Sequence, residues 1–423
     1  MAKFVINGPT TLNGSVKVGG SKNAVLAILP GCLLATKPVT LHNVPAIRDV
    51  SVMLELLRCF GMGIEGESGT VVLDPRGLQA TTIPDDLAVR LRASITLLGP
   101  ALARFGEYAS VHPGGDVIGK RPLDAHFMAL EQLGATFESD HHRYTVNAKR
   151  LMGTTVLLEE PSVTATENVL MAAVLAKGTT VIKNAACELH VRDLAHFLNR
   201  LGAKVTGAGT NKVVVEGVDM LEGGEHRVRA DELEAATFIM AAAAAGGNVT
   251  IEDVDTEHFG VLPYKLRKAG VNLEQHPDRF IVKGPHKLRA ESIKTGLWPN
   301  VPTDVASPYT VLMTQAEGVS IIHEWMYEGR LFFTDKLVSM GANITMADPH
   351  RVIVFGPTKL YGRPVASPDL RAGISMVIAA MVAEGETVID HAEHIDRGYE
   401  RLDERLRALG ADITRLEETE PAV

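Results

Sequence analysis

Residues Leu406 to Thr414 read LRALGADIT, a leucine, three residues, a glycine and then alternating apolar positions. The arrangement returns five times upstream, as LRCFGMGIE from Leu57, LEQLGATFE from Leu130, LNRLGAKVT from Leu198, LRKAGVNLE from Leu266 and LVSMGANIT from Leu337. Successive glycines lie 68 to 73 residues apart. Self-similarity at a fixed period marks stacked supersecondary units, so the repeat decides the fold before any motif is weighed. In each copy the leucine closes an amphipathic helix, and the glycine stands where the departing chain needs a left-handed backbone. The alternation that follows predicts a strand.

Two further markers recur in register with the first. Upstream, an apolar helical run ends in Gly106, Gly178, Gly247, Gly318 or Gly385 and a β-branched strand begins, whereas the first unit has Lys37-Pro38 there. Downstream, each of five units closes on a strand: VVLD from Val71, YTVN from Tyr144, VVVEG from Val213, FIVKGP from Phe280 and VIVFGP from Val352. A unit therefore reads helix, strand, helix, strand, strand. The sixth runs out at ITRLEETEPAV, while the chain opens on FVINGP, Phe4 to Pro9, in the pattern of FIVKGP and VIVFGP. The N-terminal strand is thus expected to complete the last unit. Six units then divide into two α/β domains of three, one over 22–229 and the other over 1–21 and 230–423, with a cleft between them. A continuous solenoid of the same units is the alternative.

With 46% hydrophobic and 22% charged residues among 423, the composition is that of a globular chain. Mean hydropathy is +0.09, but the Ala-rich stretch Phe238 to Ala245 is too short to span a bilayer, so no membrane insertion is expected. A formal charge of −9 argues against general nucleic-acid binding. Cys32, Cys59 and Cys187 form no disulfide framework or CxxC pair, and the N-terminus lacks an apolar signal core, which points to a reducing cytoplasm.

In a repeat protein, equivalent positions that carry different chemistry are the informative ones. Fourteen residues before the mid-unit glycine stand Arg92, Asp304 and Arg371, with Thr164 and Leu233 in the other two units, and Lys22 opens the matching helix of the first. An acid at a helix N-terminus is favoured by the helix dipole and a base is not, so Asp304 alone says little, whereas Lys22, Arg92 and Arg371 need a reason. A multiply anionic ligand supplies one. The segment VHPGGDVIGKRPLDAH, Val111 to His126, has three glycines and two prolines and carries Asp116, Lys120, Arg121, Asp124 and His126, the composition of a mobile lid over residues 111–126. Arg330 in YEGRL and Arg397 in HIDRGYERL are further basic candidates. Missing are the lysine that a phosphate-binding P-loop needs after Gly14–Gly19, a GxGxxG after a strand, and HExxH, so nucleotide hydrolysis, nicotinamide binding and a metal site are not expected. His126, His190 and His394 read as hydrogen-bonding or surface residues rather than ligands.

These segments in order, GSKNA (Gly20–Ala24), RASITLLGP (Arg92–Pro100), GGDVIGKRPLDAH (Gly114–His126), SVTATENVLMAA (Ser162–Ala173), PTD (Pro302–Asp304), SPDLRAG (Ser367–Gly373) and HIDRGYERLDERLRALGA (His394–Ala411), resemble the UDP-N-acetylglucosamine 1-carboxyvinyltransferase family of enolpyruvyl transferases. Asn23 after Lys22 resembles the UDP-sugar branch, where the shikimate branch has serine. The resemblance implies two inside-out α/β domains of three repeats each. It implies transfer of the enolpyruvyl group of phosphoenolpyruvate to the 3-hydroxyl of UDP-N-acetylglucosamine through a tetrahedral ketal, with release of phosphate and no cofactor, opening peptidoglycan synthesis. By the same resemblance Lys22, Arg121 and Arg397 would hold the phosphate of phosphoenolpyruvate, with Arg330 and Arg371 near its carboxylate, and Asn23 would also bind this substrate. Asn23, Arg92, Arg121, Pro122, Leu123, Asp124, Ala125, Ser162, Val163, Asp304 and Met326 would bind the sugar nucleotide. Asp116, Lys22, Asp304 and Arg397 would carry the chemistry.

The chain departs from the family pattern at the lid. Most members have cysteine where Asp116 stands, as the proton donor to the methylene carbon of phosphoenolpyruvate. A carboxylic acid also donates a proton but is no soft thiolate nucleophile, so resistance to fosfomycin, which alkylates that cysteine, is expected. Cys187 replaces an arginine and Glu232 stands where the family has another, changes that bear on regulatory contacts. A paralogue using another nucleotide sugar, or a silent sensor of UDP-sugar, are the competing readings. Retention of Lys22, Arg121, Asp304, Arg371 and Arg397 disfavours the sensor.

Overall fold

The structure, a computed structural model, describes residues 2–116 and 118–417. Val117 of the 111–126 loop, Met1 and the tail 418–423 lie outside the described residues. Two units make up the chain: one of Met1–Gly19, Val117–Lys120 and Ala230–Val423, the other of Gly20–Asp116 and Arg121–Arg229.

Six opening helices form the centres of the two units: α1 (Lys22–Gly31), α2 (Leu98–Phe105), α3 (Val163–Ala173), α4 (Glu232–Ala245), α5 (Ala306–Thr314) and α6 (Leu370–Val382). The helices α4, α5 and α6 pack on one another in one unit, and α1, α2 and α3 group in the other. Most of their residues are apolar and buried, which suits helices packed inside a unit. In α4 the run Leu233 to Ala243 is buried throughout, its alanines letting neighbours approach closely. Sheets lie outside these helices, so each unit is inside-out relative to a sheet-centred α/β domain.

Each repeat builds its sheet in one way. The first and third strands pair antiparallel at the centre, and the second lies outside the third. The sixth repeat is completed by Ala2–Gly8, inserted between Gly385–Asp390 and Asp412–Glu417 with Phe4 opposite Ile389 and Ile6 opposite Ile413. That register puts Phe4 and Ile6, both fully buried, on the helix side.

The glycine markers do what the pattern predicts: the six that close the second helices have φ between 84° and 108°, and the five mid-unit ones between 81° and 114°. A side chain there would be strained.

A fourth strand, absent from the sequence-derived repeat, runs parallel to the first in five sheets. In two of these sheets it comes from a stretch far away in the sequence. Leu12–Lys17, which precedes α1, pairs with Gly247–Glu252, and Gly224–Arg227, which precedes α4, pairs with Val39–Val44. The second repeat has three strands among the described residues, because Pro84 and the short helix Asp85–Ala88 stand ahead of its opening helix.

Candidate active site

Lys22 is the first residue of α1, whose N-cap Ser21 accepts from the Ala24 N–H at 3.4 Å. Its ammonium lies 2.7 Å from Asp49 Oδ2, with both side chains nearly buried, and Asp49 sits in the first turn of the helix Arg48–Cys59. A buried ammonium needs such a partner, so Asp49 fixes the position of the cation that the dipole of α1 disfavours. Asn23 follows, half-buried.

Arg92 opens a 3-10 turn, Arg92–Leu97, that leads into α2. Its guanidinium reaches the 111–126 segment: Nη1 donates to the Pro113 carbonyl at 3.3 Å and Nη2 to that of Arg121. The segment hugs Arg92 closely, since a Cβ on Gly115, at φ +110°, would lie 2.8 Å from Arg92 Cβ. Asp116 follows immediately, half-buried. Beyond it, the Ile118 carbonyl accepts from the Gly329 N–H at 2.8 Å, and the Lys120 N–H donates to Glu328 Oε1 at 2.9 Å.

His126 ties the other end of the segment to α3. Asn168 Oδ1 accepts from the Gly99 N–H at 2.6 Å, which turns Nδ2 toward the Ile95 carbonyl and toward His126 Nδ1 at 2.9 Å. Nδ1 must then accept, leaving the ring hydrogen on Nε2 to donate to Thr164 Oγ1 at 3.1 Å. A second proton would face the Asn168 amide. Burial and then the Arg92 charge hold the imidazole down to about 3. Arg121, Pro122, Leu123, Asp124 and Ala125 are thereby tethered near the cap of α3, where Ser162 accepts from the Ala165 N–H at 3.4 Å and Val163 begins the helix. Of the tethered residues Leu123 is buried and Pro122 and Asp124 are exposed.

In the other unit Asp304 lies in the 3-10 turn Thr303–Val305 ahead of α5. Its carboxylate accepts from two arginines, Oδ1 from Arg330 Nη2 at 3.1 Å and Oδ2 from Arg371 Nη2 at 3.0 Å. Arg371 is the second residue of α6, where Asp369 caps the helix by accepting from the Arg371 and Ala372 N–H groups. Burial works against its charge, but Asp304 and then Tyr399 outweigh it and hold the guanidinium above the ordinary arginine range. Arg371 Nη1 donates to the Tyr399 hydroxyl at 3.0 Å. Glu324, fully buried, accepts from the Met326 and Tyr327 N–H groups at 2.9 and 3.2 Å and from Thr295 Oγ1 at 3.1 Å, pinning the turn that carries Met326 and leads to Arg330. Arg397 ends the 3-10 helix Ala392–Arg397, two residues before Tyr399.

The structure thus brings Asp304, Arg330 and Arg371 into direct contact, and gathers Arg92, Asp116, the Arg121–Ala125 stretch, Ser162 and Val163 around one loop and one helix cap. Lys22 and Asn23 stand at the start of α1. Sequence reasoning missed Asp49, Tyr399 and Glu324. Asp49 reads as an ordinary acid in a helix first turn, and nothing local to Tyr399 announces that its hydroxyl meets Arg371. The departures sit at helix starts too: Glu232 is the first residue of α4, and the Cys187 thiol, pushed up by burial and then by Glu188, precedes the helix Leu189–Arg200. Among the described residues no cluster of His, Cys, Asp and Glu could hold a metal ion, and no helix is long and apolar enough to cross a membrane.

Buried arginines around a carboxylate, on six repeats with helices inside, define a class of protein that recurs elsewhere. The family described as EPSP synthase (3-phosphoshikimate 1-carboxyvinyltransferase) matches residues 6–406. The enolpyruvyl transferase NikO from Streptomyces tendae superposes with a TM-score of 0.87 over 98% of both chains at 24% identity, a likeness of fold. The UDP-N-acetylglucosamine 1-carboxyvinyltransferases of Treponema denticola and Treponema pallidum are 43% and 44% identical over 98% of this chain and 99% of their own. The chain therefore belongs to the EPSP synthase family of transferases and, within it, to the UDP-N-acetylglucosamine 1-carboxyvinyltransferase group.

Proposed function

We propose that this enzyme transfers the enolpyruvyl group of phosphoenolpyruvate to the 3-hydroxyl of UDP-N-acetylglucosamine and releases phosphate. The observation that carries the reading is 43% identity, over 98% of the chain, to a relative named for that transfer. In the addition step the sugar oxygen bonds to C2 of phosphoenolpyruvate while its proton passes to Asp304 and Asp116 protonates the methylene carbon, giving a tetrahedral ketal. In the elimination step the methyl carbon returns a proton to Asp116 and the C2–O bond to phosphate breaks. The hydroxyl proton leaves with phosphate or solvent, so the lid acid ends as it began.

Lys22, Arg121 and Arg397 hold the phosphate and stabilise charge as it gathers there, and Arg330 and Arg371 take the carboxylate. Asn23, Arg92, the Arg121–Ala125 stretch, Ser162, Val163, Asp304 and Met326 bind the sugar nucleotide. Supporting this division are the Arg92 and His126 tethers on the Arg121–Ala125 stretch and the twin arginines on Asp304. The reading needs no cofactor. It places the enzyme in the cytoplasm at the first committed step of peptidoglycan synthesis, hence in cell-wall growth, cell shape and division, with fosfomycin resistance from Asp116. Incubation with both substrates should give phosphate and, by mass spectrometry, a sugar nucleotide heavier by one enolpyruvyl group. Phosphate without that product, or no phosphate, would refute the reading.

A further inference from the structure

We propose that Tyr399 and Thr237 form a one-way hydrogen-bond relay that orients Arg371, making Tyr399 a positioning residue for the guanidinium that receives the phosphoenolpyruvate carboxylate; the inference rests on the reaction proposed above. The direction of the relay follows from donor chemistry. A guanidinium only donates, so Arg371 Nη1, 3.0 Å from the phenol oxygen, uses a lone pair of Tyr399. The phenol hydrogen is left for Thr237 Oγ1 at 2.8 Å, and the threonine hydrogen goes to the Leu233 carbonyl of α4, also at 2.8 Å. Were Thr237 to donate to Tyr399 instead, its single hydrogen would be taken from the Leu233 carbonyl.

Tyr399, Thr237 and Arg371 are 1%, 3% and 6% exposed, so water is a poor substitute for any member. With Nη1 on Tyr399 and Nη2 on Asp304, the plane of the guanidinium is set from two sides. A planar fork placed in advance binds a carboxylate better than one that must be ordered at the moment of binding.

Tyr399→Phe keeps the ring and deletes the acceptor. It should raise the KM for phosphoenolpyruvate by roughly tenfold, as for loss of one hydrogen bond to a charged group, and the KM for UDP-N-acetylglucosamine much less. Thr237→Val should act in the same direction and Thr237→Ser should restore wild-type values. The Phe/Val double variant should be no worse than Tyr399→Phe alone, because the residues act in series. An unchanged phosphoenolpyruvate KM in Tyr399→Phe, or an equal rise in both KM values, would overturn the relay. A wild type that releases no phosphate would count against the reaction and leave the relay to a substrate-free readout. In ¹⁵N spectra of the arginine side chains, rotation of the Arg371 guanidinium should be faster in Tyr399→Phe, and unchanged rotation would end the proposal.

Discussion

Arg371 Nη2 lies 3.0 Å from Asp304 Oδ2, joining the start of α6 to the turn ahead of α5. Arg330 holds the other oxygen, so the acid assigned to the sugar hydroxyl is aimed by the two cations assigned to the substrate carboxylate. The pairing explains how a buried arginine at a helix N-terminus, where the dipole is unfavourable, keeps its charge. Asp304→Asn should lower kcat by about 10² to 10⁴, the usual reach of a positioned acid–base group, with a smaller effect on the KM for UDP-N-acetylglucosamine. Steady-state kinetics would detect it, and a kcat within threefold of wild type would remove Asp304 from the proton transfer.

His126 predicts a pH dependence of stability. Its folded-state value is lowered to about 3 from an ordinary 6.5, by burial and then by Arg92. Above pH 6.5 both folded and unfolded chains hold it neutral. As the pH falls below that, the unfolded chain takes up a proton that the folded chain refuses, so stability drops by up to about 1.4 kcal/mol per pH unit until the folded value is reached. Urea midpoints between pH 7.5 and 5.0 should fall less steeply in His126→Asn than in wild type. Equal slopes would mean that the imidazole is not held neutral.

Asp116 should confer resistance to an epoxide that alkylates a lid thiolate, because a carboxylate is a hard and weak nucleophile. Wild-type enzyme preincubated with fosfomycin should keep its activity, and Asp116→Cys should become sensitive to it. Rapid inactivation of the wild type would contradict this.

Much of the fold was legible because every repeat announces one of its corners with a glycine and five of the six announce both. Gly410, Gly341 and their equivalents need a left-handed backbone, and that requirement is written locally. The placement of Ala2–Gly8 in the sixth sheet was legible from the likeness of FVINGP to FIVKGP and VIVFGP. The fourth strands were not, since Ile293–Lys294 and Thr155–Leu157 are two and three residues long and carry no alternation to read. Nor does anything local show that Leu12–Lys17 and Gly224–Arg227 join sheets far away in sequence.

The candidate site divides the same way. Lys22, Arg92, Asp304 and Arg371 stood out because equivalent positions in the repeats differ in charge. Their partners did not, because Asp49, Tyr399 and Thr237 acquire meaning only through contacts 27, 28 and 162 residues distant in the chain. From the sequence His126 reads as either a surface or a hydrogen-bonding residue; its burial and its tautomer follow from Asn168 and Gly99, which only the fold brings to it.

Phosphate release from phosphoenolpyruvate in the presence of UDP-N-acetylglucosamine, compared between wild type and Asp116→Asn, tests the central claim most directly. The account predicts steady release by the wild type and a loss of at least about 10² in Asp116→Asn, which keeps the shape of the side chain without its transferable proton. Equal rates would remove Asp116 as the acid, and no release by either protein would contradict the assigned reaction itself.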